Sequence, residues 1–313
     1  MKEKNSYENL LIIGAVFFAA VMVIFPKQTE GGAKEGIFIW LNSVVPILFP
    51  FFIFSDFMKR MGAADRAPTG LYPFILAFMS GYPMGAKIVG EMVADGNLTR
   101  EKGKWVLSYS LITGPAFILG ALRSFLGSSE AAVIVAISHY LGAVINGMFS
   151  RGRKGEHTNI AEPGDEQPLR PIVNLSKSRG RGNPIEQFTL SIISSTRSMA
   201  IILAYLVVFM IGIEILSGIG FFALIESDIV ASFFKGILEM TIGSNSICLS
   251  CDNMALKTGM VSFFVSFGGI SVIGQSASML GKSGISFFDV LQIKTTHGLI
   301  SGIMAVILAI IVL

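Results

Sequence analysis

Charged residues are scarce in this sequence: they make up 14% of its 313 residues, whereas hydrophobic residues make up 52%. The mean hydropathy is +0.67. Because an ordinary soluble domain carries about 25% charged residues, this composition indicates an integral membrane protein. The formal net charge is only +3, so no basic excess favours a nucleic-acid partner.

Cysteine and catalytic motifs are also scarce. Cys248 and Cys251 have the C-x-x-C spacing of a redox motif, but they lie in an apolar segment without a strand pattern, so we expect buried, inert thiols. There is no H-E-x-x-H motif or other metal-ligand cluster, and the Gly281-Lys282-Ser283 stretch lacks the first glycine and the strand of a phosphate-binding loop. We therefore expect no enzyme, no resident metal and no cofactor, and a coupling ion stays unidentified.

Long apolar segments are abundant. Seven of them are near the length of about 20 residues that crosses a bilayer, namely 10–25, 36–58, 105–122, 130–149, 188–216, 260–280 and 285–313. The first follows a short basic arm but lacks a small-residue cleavage site, so we expect a retained span rather than a signal peptide. The polar segment Arg151–Gln187 is rich in glycine, proline and both charge signs, and it predicts a loop between two halves.

Two further apolar segments, 70–94 and 236–258, contain glycine, proline or polar residues near their middle. Backbone of this kind is tolerated at membrane depth only when it is buried in protein or lines a water-filled cavity. Each segment therefore predicts a re-entrant helical hairpin. Residues 221–234 between them predict a short helix along the outer surface.

The placement of lysine and arginine predicts the orientation. With a cytoplasmic N-terminus, 16 of these residues fall on the cytoplasmic side and 5 on the outer side. This bias agrees with the excess of basic residues in cytoplasmic loops of membrane proteins. In this orientation the first hairpin inserts from the cytoplasm and the second from outside.

The sequence also contains a short internal repeat. Tyr109–Gly127 aligns with Val265–Gly281, and His139 and His297 then take similar places in the following spans. We expect these two histidines to pack or to form helix–helix hydrogen bonds. The predicted fold is an all-α polytopic membrane protein with an inverted repeat, two re-entrant hairpins and two broken transmembrane helices. Its parts are an N-terminal span and loop at 1–35, a first repeat at 36–150, the polar cytoplasmic loop at 151–187 and an inverted second repeat at 188–313.

Two spans contain helix-breaking residues, Thr113-Gly114-Pro115 and Gly268-Gly269-Ile270-Ser271. Proline removes a backbone donor and paired glycines weaken a helix, so we expect both spans to unwind in the middle of the membrane. We expect the hairpin tips, Gly81-Tyr82-Pro83 and Gly243-Ser244-Asn245-Ser246, to face these breaks. Two tips and two breaks would then enclose one polar site near the midplane.

Individual residues at this site leave alternatives open. Lys87 is either the counter-charge for an anionic solute or the partner of Glu91, four residues on. Glu239 is either part of the site or the group that binds a coupling proton or cation. The polar side chains of Ser244, Asn245, Ser271 and Gln275 are expected to line the site, although each could instead satisfy a neighbouring helix.

Four stretches together resemble the sporulation integral membrane proteins of the YlbJ or stage V type, which carry two nucleoside-recognition or gate domains and are related to concentrative nucleoside transporters. These stretches are FPFFIFSDFM (49–58), SGYPMGAK (80–87), LITGPAFILG (111–120) and SFGGISVIGQ (266–275). The resemblance extends from about residue 36 to the end.

The resemblance implies two opposed hairpins and two broken helices, and a role in moving dipicolinic acid from the mother cell toward the forespore across the outer forespore membrane. It implies binding residues at the tips and breaks, which here are Tyr82, Pro83, Lys87, Thr113, Gly114, Asn245, Ser271 and Gln275. The partners expected are the bilayer, a small anionic solute and, by analogy with nucleoside transporters, other copies of the chain.

The leading hypothesis is therefore a bacterial cytoplasmic-membrane transporter that carries a small organic anion by alternating access. One alternative is a nucleoside-type transporter, although Gly-Tyr-Pro replaces the acid-bearing first tip of that group. Another is a non-transporting membrane scaffold that recruits partners through residues 151–187.

Overall fold

The computed structural model describes residues 2–62, 71–152 and 183–313, and every regular element in these ranges is a helix. Most of the predicted polar loop, residues 153–182, lies outside the described ranges. The α-helices are α1 (Lys2–Ile24), α2 (Pro26–Ile39), α3 (Val45–Arg60), α4 (Leu71–Ser80), α5 (Met84–Ala94), α6 (Arg100–Ser110), α7 (Pro115–Phe117), α8 (Arg123–Leu126), α9 (Ser129–Gly152), α10 (Pro184–Gly218), α11 (Asp228–Leu238), α12 (Met240–Ser250), α13 (Met254–Phe267), α14 (Gly269–Leu280) and α15 (Phe287–Val312).

Five helical segments of the described chain are long and apolar enough to cross a membrane, which confirms the polytopic membrane fold. They are Arg100–Leu126, Ser129–Arg151, Pro184–Gly218, Met254–Ser283 and Phe287–Val312. A bent pair, Ile12–Ile24 and Pro26–Asn42, meets at 103° and makes a sixth if it is counted as one span. The predicted span at 10–25 lies in this pair, and its separate crossing stays a prediction.

The predicted span at 36–58 is part of a longer helical segment. A π-helical turn at Trp40–Val44 joins α2 to α3, so the chain stays helical from Pro26 to Arg60. This segment packs along α10, and a Cβ on Gly32 would lie 2.6 Å from the Cα of Ile211. At the far end of the pair, the rings of Phe57 and Phe188 meet edge to face with centroids 5.4 Å apart.

The two hairpins are α4–α5 and α11–α12. The first turns at Gly81, which has a φ of 76°, and at the cis Tyr82–Pro83 bond. The second turns at Glu239, whose backbone is extended between Leu238 and Met240. The predicted second tip at 243–246 is therefore wrong, because these residues lie inside α12. The predicted surface helix at 221–234 is also wrong in its extent, since its second half, residues 228–234, belongs to α11, the first arm of this hairpin.

Both breaks lie where the sequence predicted them. In the first broken helix, α6 ends at Ser110 and α7 begins with a proline after Gly114, and a π-helical turn at Ile118–Leu122 leads into α8. In the second, α13 ends at Phe267 and α14 begins after Gly268, which has a φ of 87°. Only glycine adopts such a φ without strain, so paired glycines mark the position of the second break.

The two broken helices run in opposite directions. Arg100, which begins α6, donates to Asp289 at the start of α15, with the two atoms 3.0 Å apart. In contrast, Ala255 near the start of α13 packs with Ala305 and Ala309 near the end of α15. The hairpins likewise open toward opposite ends of the bundle, because short loops join α5 to α6 and α12 to α13. This is the arrangement expected for an inverted repeat, while the re-entrant insertion and the proposed boundaries at 36 and 188 stay predictions.

The repeats are interlocked. Gly90 of the first hairpin lies against α14, where a Cβ would stand 2.8 Å from the Cα of Leu280. Ile247 of the second hairpin packs in one buried cluster with Leu122 and Leu126, which follow the first break. Each hairpin therefore packs its returning arm on the broken helix of the other repeat.

Candidate functional site

The first tip lies directly against the first break. A Cβ on Gly81 would stand 2.8 Å from the backbone nitrogen of Gly114, which leaves room for glycine alone. In this contact, the non-helical backbone of the tip covers the non-helical backbone of the break, as the sequence predicted. It explains how a membrane-embedded segment accommodates Gly81-Tyr82-Pro83.

The second tip lies against the second break in the same way. A Cβ on Gly269 would stand 3.0 Å from the carbonyl oxygen of Leu238 and 3.1 Å from the Cα of Glu239. The break at Gly268–Ser271 therefore faces a tip, as expected, but that tip is centred on Glu239. The carboxylate of Glu239 caps α12, with Oε2 accepting from the backbone N–H groups of Thr241 at 2.8 Å and Ile242 at 2.9 Å.

Side chains satisfy much of the backbone freed at the first break. The Lys294 ammonium donates to the carbonyl of Leu111 at 2.9 Å, and the Nε2 atom of His139 accepts from the N–H group of Thr113 at 2.9 Å. The Tyr140 hydroxyl donates to the Thr113 carbonyl at 3.0 Å. Unpaired buried backbone groups are expensive in lipid, so this network explains how the break persists.

The same network links the first tip to the second broken helix. The Tyr82 hydroxyl donates to the Val265 carbonyl at 3.0 Å and accepts from the Lys294 ammonium, which also lies 4.2 Å from the centre of the Tyr82 ring. His139 Nδ1 lies 2.8 Å from the Ser266 hydroxyl, and His297 Nε2 lies 2.9 Å from the His139 carbonyl oxygen. The helix–helix hydrogen bonds expected of both histidines are present.

A cavity lies where the two tips and two breaks meet. Both repeats contribute polar side chains and non-helical backbone to the lining of this cavity. Apolar side chains of α10 and of the helix from Pro26 to Arg60 complete the lining. The lining residues include Gly81, Tyr82, Thr113, Gly114, Glu239, Thr241, Gln275, Leu48, Ile202, Leu206 and Val272.

Five of the ten predicted site residues line this cavity: Tyr82, Thr113, Gly114, Glu239 and Gln275. Ser271 lies next to it, since its hydroxyl accepts from Gln275 Nε2 at 3.3 Å.

The other predicted residues lie elsewhere. Pro83 immediately precedes α5, and Ser244 is buried within α12. Lys87 lies 3.8 Å from Asp56 and donates to the hydroxyls of Ser194 at 2.9 Å and Ser198 at 3.3 Å. The predicted partner of Lys87, Glu91, pairs with Lys59 instead.

A second, wider cavity adjoins the first. The two share the side chains of Ile39, Phe117 and Thr241. The second cavity, which we call the vestibule, is lined by Glu35, Glu214, Lys235 and Asn245 among others. The vestibule lies toward the end of the bundle where the second hairpin opens.

Ion pairs close the other end. Lys59 and Glu91 join α3 to α5, and Asp56 of α3 lies between Arg60 at 2.6 Å and Lys87 of α5 at 3.8 Å. The site therefore adjoins the vestibule at one end, whereas ion pairs join α3 to α5 at the other, which we call the sealed end.

Lys294 is a member of the site that was not predicted from the sequence. Asp289, five residues earlier on α15, pairs with Arg100 and Lys104 and not with Lys294. Lys294 is only 1% exposed, and no carboxylate of the described residues forms an ion pair with it. An ionisable residue placed inside a span without a counter-charge was the available signal.

Comparison with known proteins supports the resemblance. The chain is 24% identical to the sporulation integral membrane protein YlbJ of Bacillus subtilis (strain 168) over 345 aligned residues, which cover 96% of this chain and 83% of the relative. No family model matches the chain. No solved structure matches it either, and its relation to nucleoside transporters stays a prediction. The chain is thus an integral membrane protein by its apolar helices, and over nearly its whole length it is similar to the sporulation protein YlbJ.

Proposed function

We propose that the protein is a transporter rather than an enzyme, and that it carries a small organic anion across a bacterial membrane by alternating access. The observation that carries this proposal is the cavity between two tips and two breaks, which adjoins the vestibule at one end and has ion pairs between α3 and α5 at the other. Binding at the interface of inverted repeats with discontinuous helices is typical of secondary transporters.

Two features favour an anion in the cavity. The buried ammonium of Lys294 lies behind Tyr82, whose ring and hydroxyl separate it from the cavity. In addition, α14 begins beside the cavity without a side-chain cap, and the N-terminal end of a helix carries partial positive charge. Lys87 contributes less to anion binding than the sequence predicted, because its ammonium forms an ion pair with the carboxylate of Asp56.

We propose dipicolinate as the solute, on the strength of the relationship to a sporulation protein together with these two features. Dipicolinate is planar and carries two carboxylates, which suit a narrow cavity that has a buried ammonium and the start of α14 beside it. The mother-cell-derived outer forespore membrane is the corresponding location. Movement would follow a solute or ion gradient.

The test is uptake into liposomes that contain the purified protein, with dipicolinate, uridine and succinate compared side by side. We expect saturable uptake of dipicolinate that exceeds uptake of the other two solutes. A Leu206→Trp variant fills the cavity from α10 and should abolish uptake. Val208→Trp is the matched control, since Val208 lies on the same helix and is 48% exposed.

Preferred uptake of uridine would replace the proposal by a nucleoside-type transporter. If every solute enters no faster than it enters empty liposomes, although the protein is folded, transport is wrong and the scaffold hypothesis gains support.

A further inference from the structure

The second tip places a carboxylate at the cavity that is proposed to bind an anion. Glu239 lines this cavity and is only 3% exposed. Among the described residues that line it, Glu239 is the only one that carries a carboxylate or an ammonium group. An anion that enters the cavity would therefore lie close to a like charge in a poorly hydrated site, where repulsion is strong.

Lysines do not cancel this charge from within the cavity. Lys235 of α11 lines the vestibule, and its ammonium lies 5.0 Å from the ring centre of Phe222. Lys87 faces Asp56 at the sealed end, and Lys294 lies behind Tyr82. The backbone N–H groups of Thr241 and Ile242 stabilise the carboxylate on the side of α12, but they leave its net charge in place.

We propose that Glu239 is the group that binds a coupling proton, so that the anion and one proton cross the membrane together. This inference rests on the proposed function. In the step itself, the ionised carboxylate takes a proton from hydronium in the vestibule as the anion binds, which forms the neutral acid and water. After the site opens to the other side, the acid returns the proton to water as the anion leaves.

The surroundings favour a proton over a metal cation. The described residues contain no group of three or more histidine, cysteine, aspartate or glutamate side chains that could hold a metal ion. The carboxylate is also held by N–H donors at the start of α12, where the partial positive charge of the helix end opposes a bound cation. A proton changes the charge without needing further oxygen ligands.

Other titratable groups lie farther from the carboxylate or are engaged elsewhere. Tyr82 faces the cavity from the first tip, and Glu35, Glu214 and Lys235 face the neighbouring vestibule from α2, α10 and α11. Arg123, Cys248 and Lys257 on the packed helices α8, α12 and α13 lie at least two turns from the tip or the break. Glu239 is thus the carboxyl group that an anion meets inside the cavity, after it has passed Glu35 and Glu214 in the vestibule.

The experiment uses the full chain in liposomes, with the membrane potential clamped and dipicolinate as the probe. An acidic outside should drive accumulation of dipicolinate by up to about tenfold for each pH unit, which is the limit for one proton per anion. A dye trapped inside should report acidification in step with uptake. Glu239→Gln keeps an oxygen that can cap α12, and it should lose both the response to the pH gradient and the acidification.

Glu226→Gln is the matched control, because Glu226 is exposed in the loop before α11, and it should behave like the unmodified protein. Calorimetry in two buffers of different ionisation enthalpy adds a measurement of binding alone. We expect dipicolinate to bind with uptake of about one proton in the unmodified protein, by linkage, and with none in Glu239→Gln.

Transport of dipicolinate without proton uptake, or with equal gradient dependence in Glu239→Gln, would overturn the coupling and leave the proposed function standing. Uptake driven by a sodium gradient instead of a pH gradient would overturn the assignment of the proton. If the unmodified protein neither binds nor carries dipicolinate, both the proposed function and the coupling fail.

Discussion

The two hairpin tips have the same place in the fold but differ in chemistry. The first tip is neutral, with Tyr82 held by the ammonium of Lys294, whereas the second tip carries the carboxylate of Glu239. The glycines with positive φ are also placed differently. Where the first tip meets the first break, this glycine is Gly81 of the tip. Where the second tip meets the second break, these glycines are Gly268 and Gly269 of the break. A duplicated architecture can thus present one neutral tip and one carboxylate-bearing tip to the same cavity, which suits a site where an anion and a proton meet.

The largest effect is expected from alanine at the strained glycines. Gly81 and Gly269 combine positive φ values of 76° and 70° with close backbone neighbours. Alanine at either position should lower the free energy of unfolding by about 2–4 kcal/mol, from left-handed strain and overpacking together. Gly114 has a φ of −71°, so Gly114→Ala should lower the free energy of unfolding by only about 1 kcal/mol.

Unfolding in detergent, followed by circular dichroism, measures these differences. Gly127→Ala serves as the control for strain alone, because Gly127 has a φ of 65° and no neighbour within 4 Å of the added Cβ. If Gly114→Ala and Gly269→Ala lowered the free energy of unfolding equally, the positive φ of Gly269 would not make the second break more sensitive to alanine than the first.

The next effect concerns the lysines. Lys294→Met removes the charge behind the first tip and should weaken dipicolinate binding by about tenfold, the size expected for one partly screened charge. Lys87→Met should change binding by less than about twofold, because Lys87 lies beside Asp56 at the sealed end. Calorimetric titration of both variants tests this order, and the reverse order would restore Lys87 as the counter-charge.

A smaller effect is expected on the local opening of the two hairpins, which amide hydrogen exchange measures. Ion pairs join the returning arm of the first hairpin to α3, whereas hydroxyl contacts of Ser232 with Ser246 and Ser250 join the two arms of the second. Asp56→Asn should therefore raise amide hydrogen exchange in α5 by about fivefold, since it weakens one anchor.

Exchange measured by mass spectrometry, with Ser246→Ala as the matched change in the second hairpin, provides the check. Unchanged exchange in α5 would mean that packing on α14, not the ion pairs, holds the first hairpin closed.

The smallest effect is expected at Gln275, one turn past the second break. Gln275→Leu should weaken dipicolinate binding by about threefold, the value of one modest hydrogen bond. Gln275→Glu has nearly the same size but adds a charge beside Glu239, so it should weaken binding more. Similar affinities for these two variants would argue against an anion near the second tip.

Much of this fold could be predicted from the sequence because its breaks rest on local backbone chemistry. Proline at 115 and paired glycines at 268 and 269 mark both broken helices, and Gly81 with Pro83 marks the first tip. Each of these residues alters the backbone directly, so no knowledge of tertiary contacts was needed.

The second tip could not be placed in this way. Gly243 and its polar neighbours suggested a loop, but Gly243 is needed where α12 crosses α11, because an added Cβ would collide with the backbone of Gly236. The chain turns instead at Glu239, whose carboxylate caps the helix that follows. Lys294 was missed for a related reason: its partners, Tyr82 and the Leu111 carbonyl, are about 200 residues away in the chain.

The exchange of arms between the repeats has a consequence for synthesis. Gly90 packs on Leu280, so the surface that receives the first hairpin is translated long after the hairpin itself. Until residues 269–283 leave the ribosome, the irregular turn at Gly81 is sheltered from lipid by the first break and Leu48 of α3, without the second repeat. Membrane insertion of the amino-terminal half should therefore yield a waiting intermediate, and a chain severed between the repeats should assemble only when both fragments are made in the same cell.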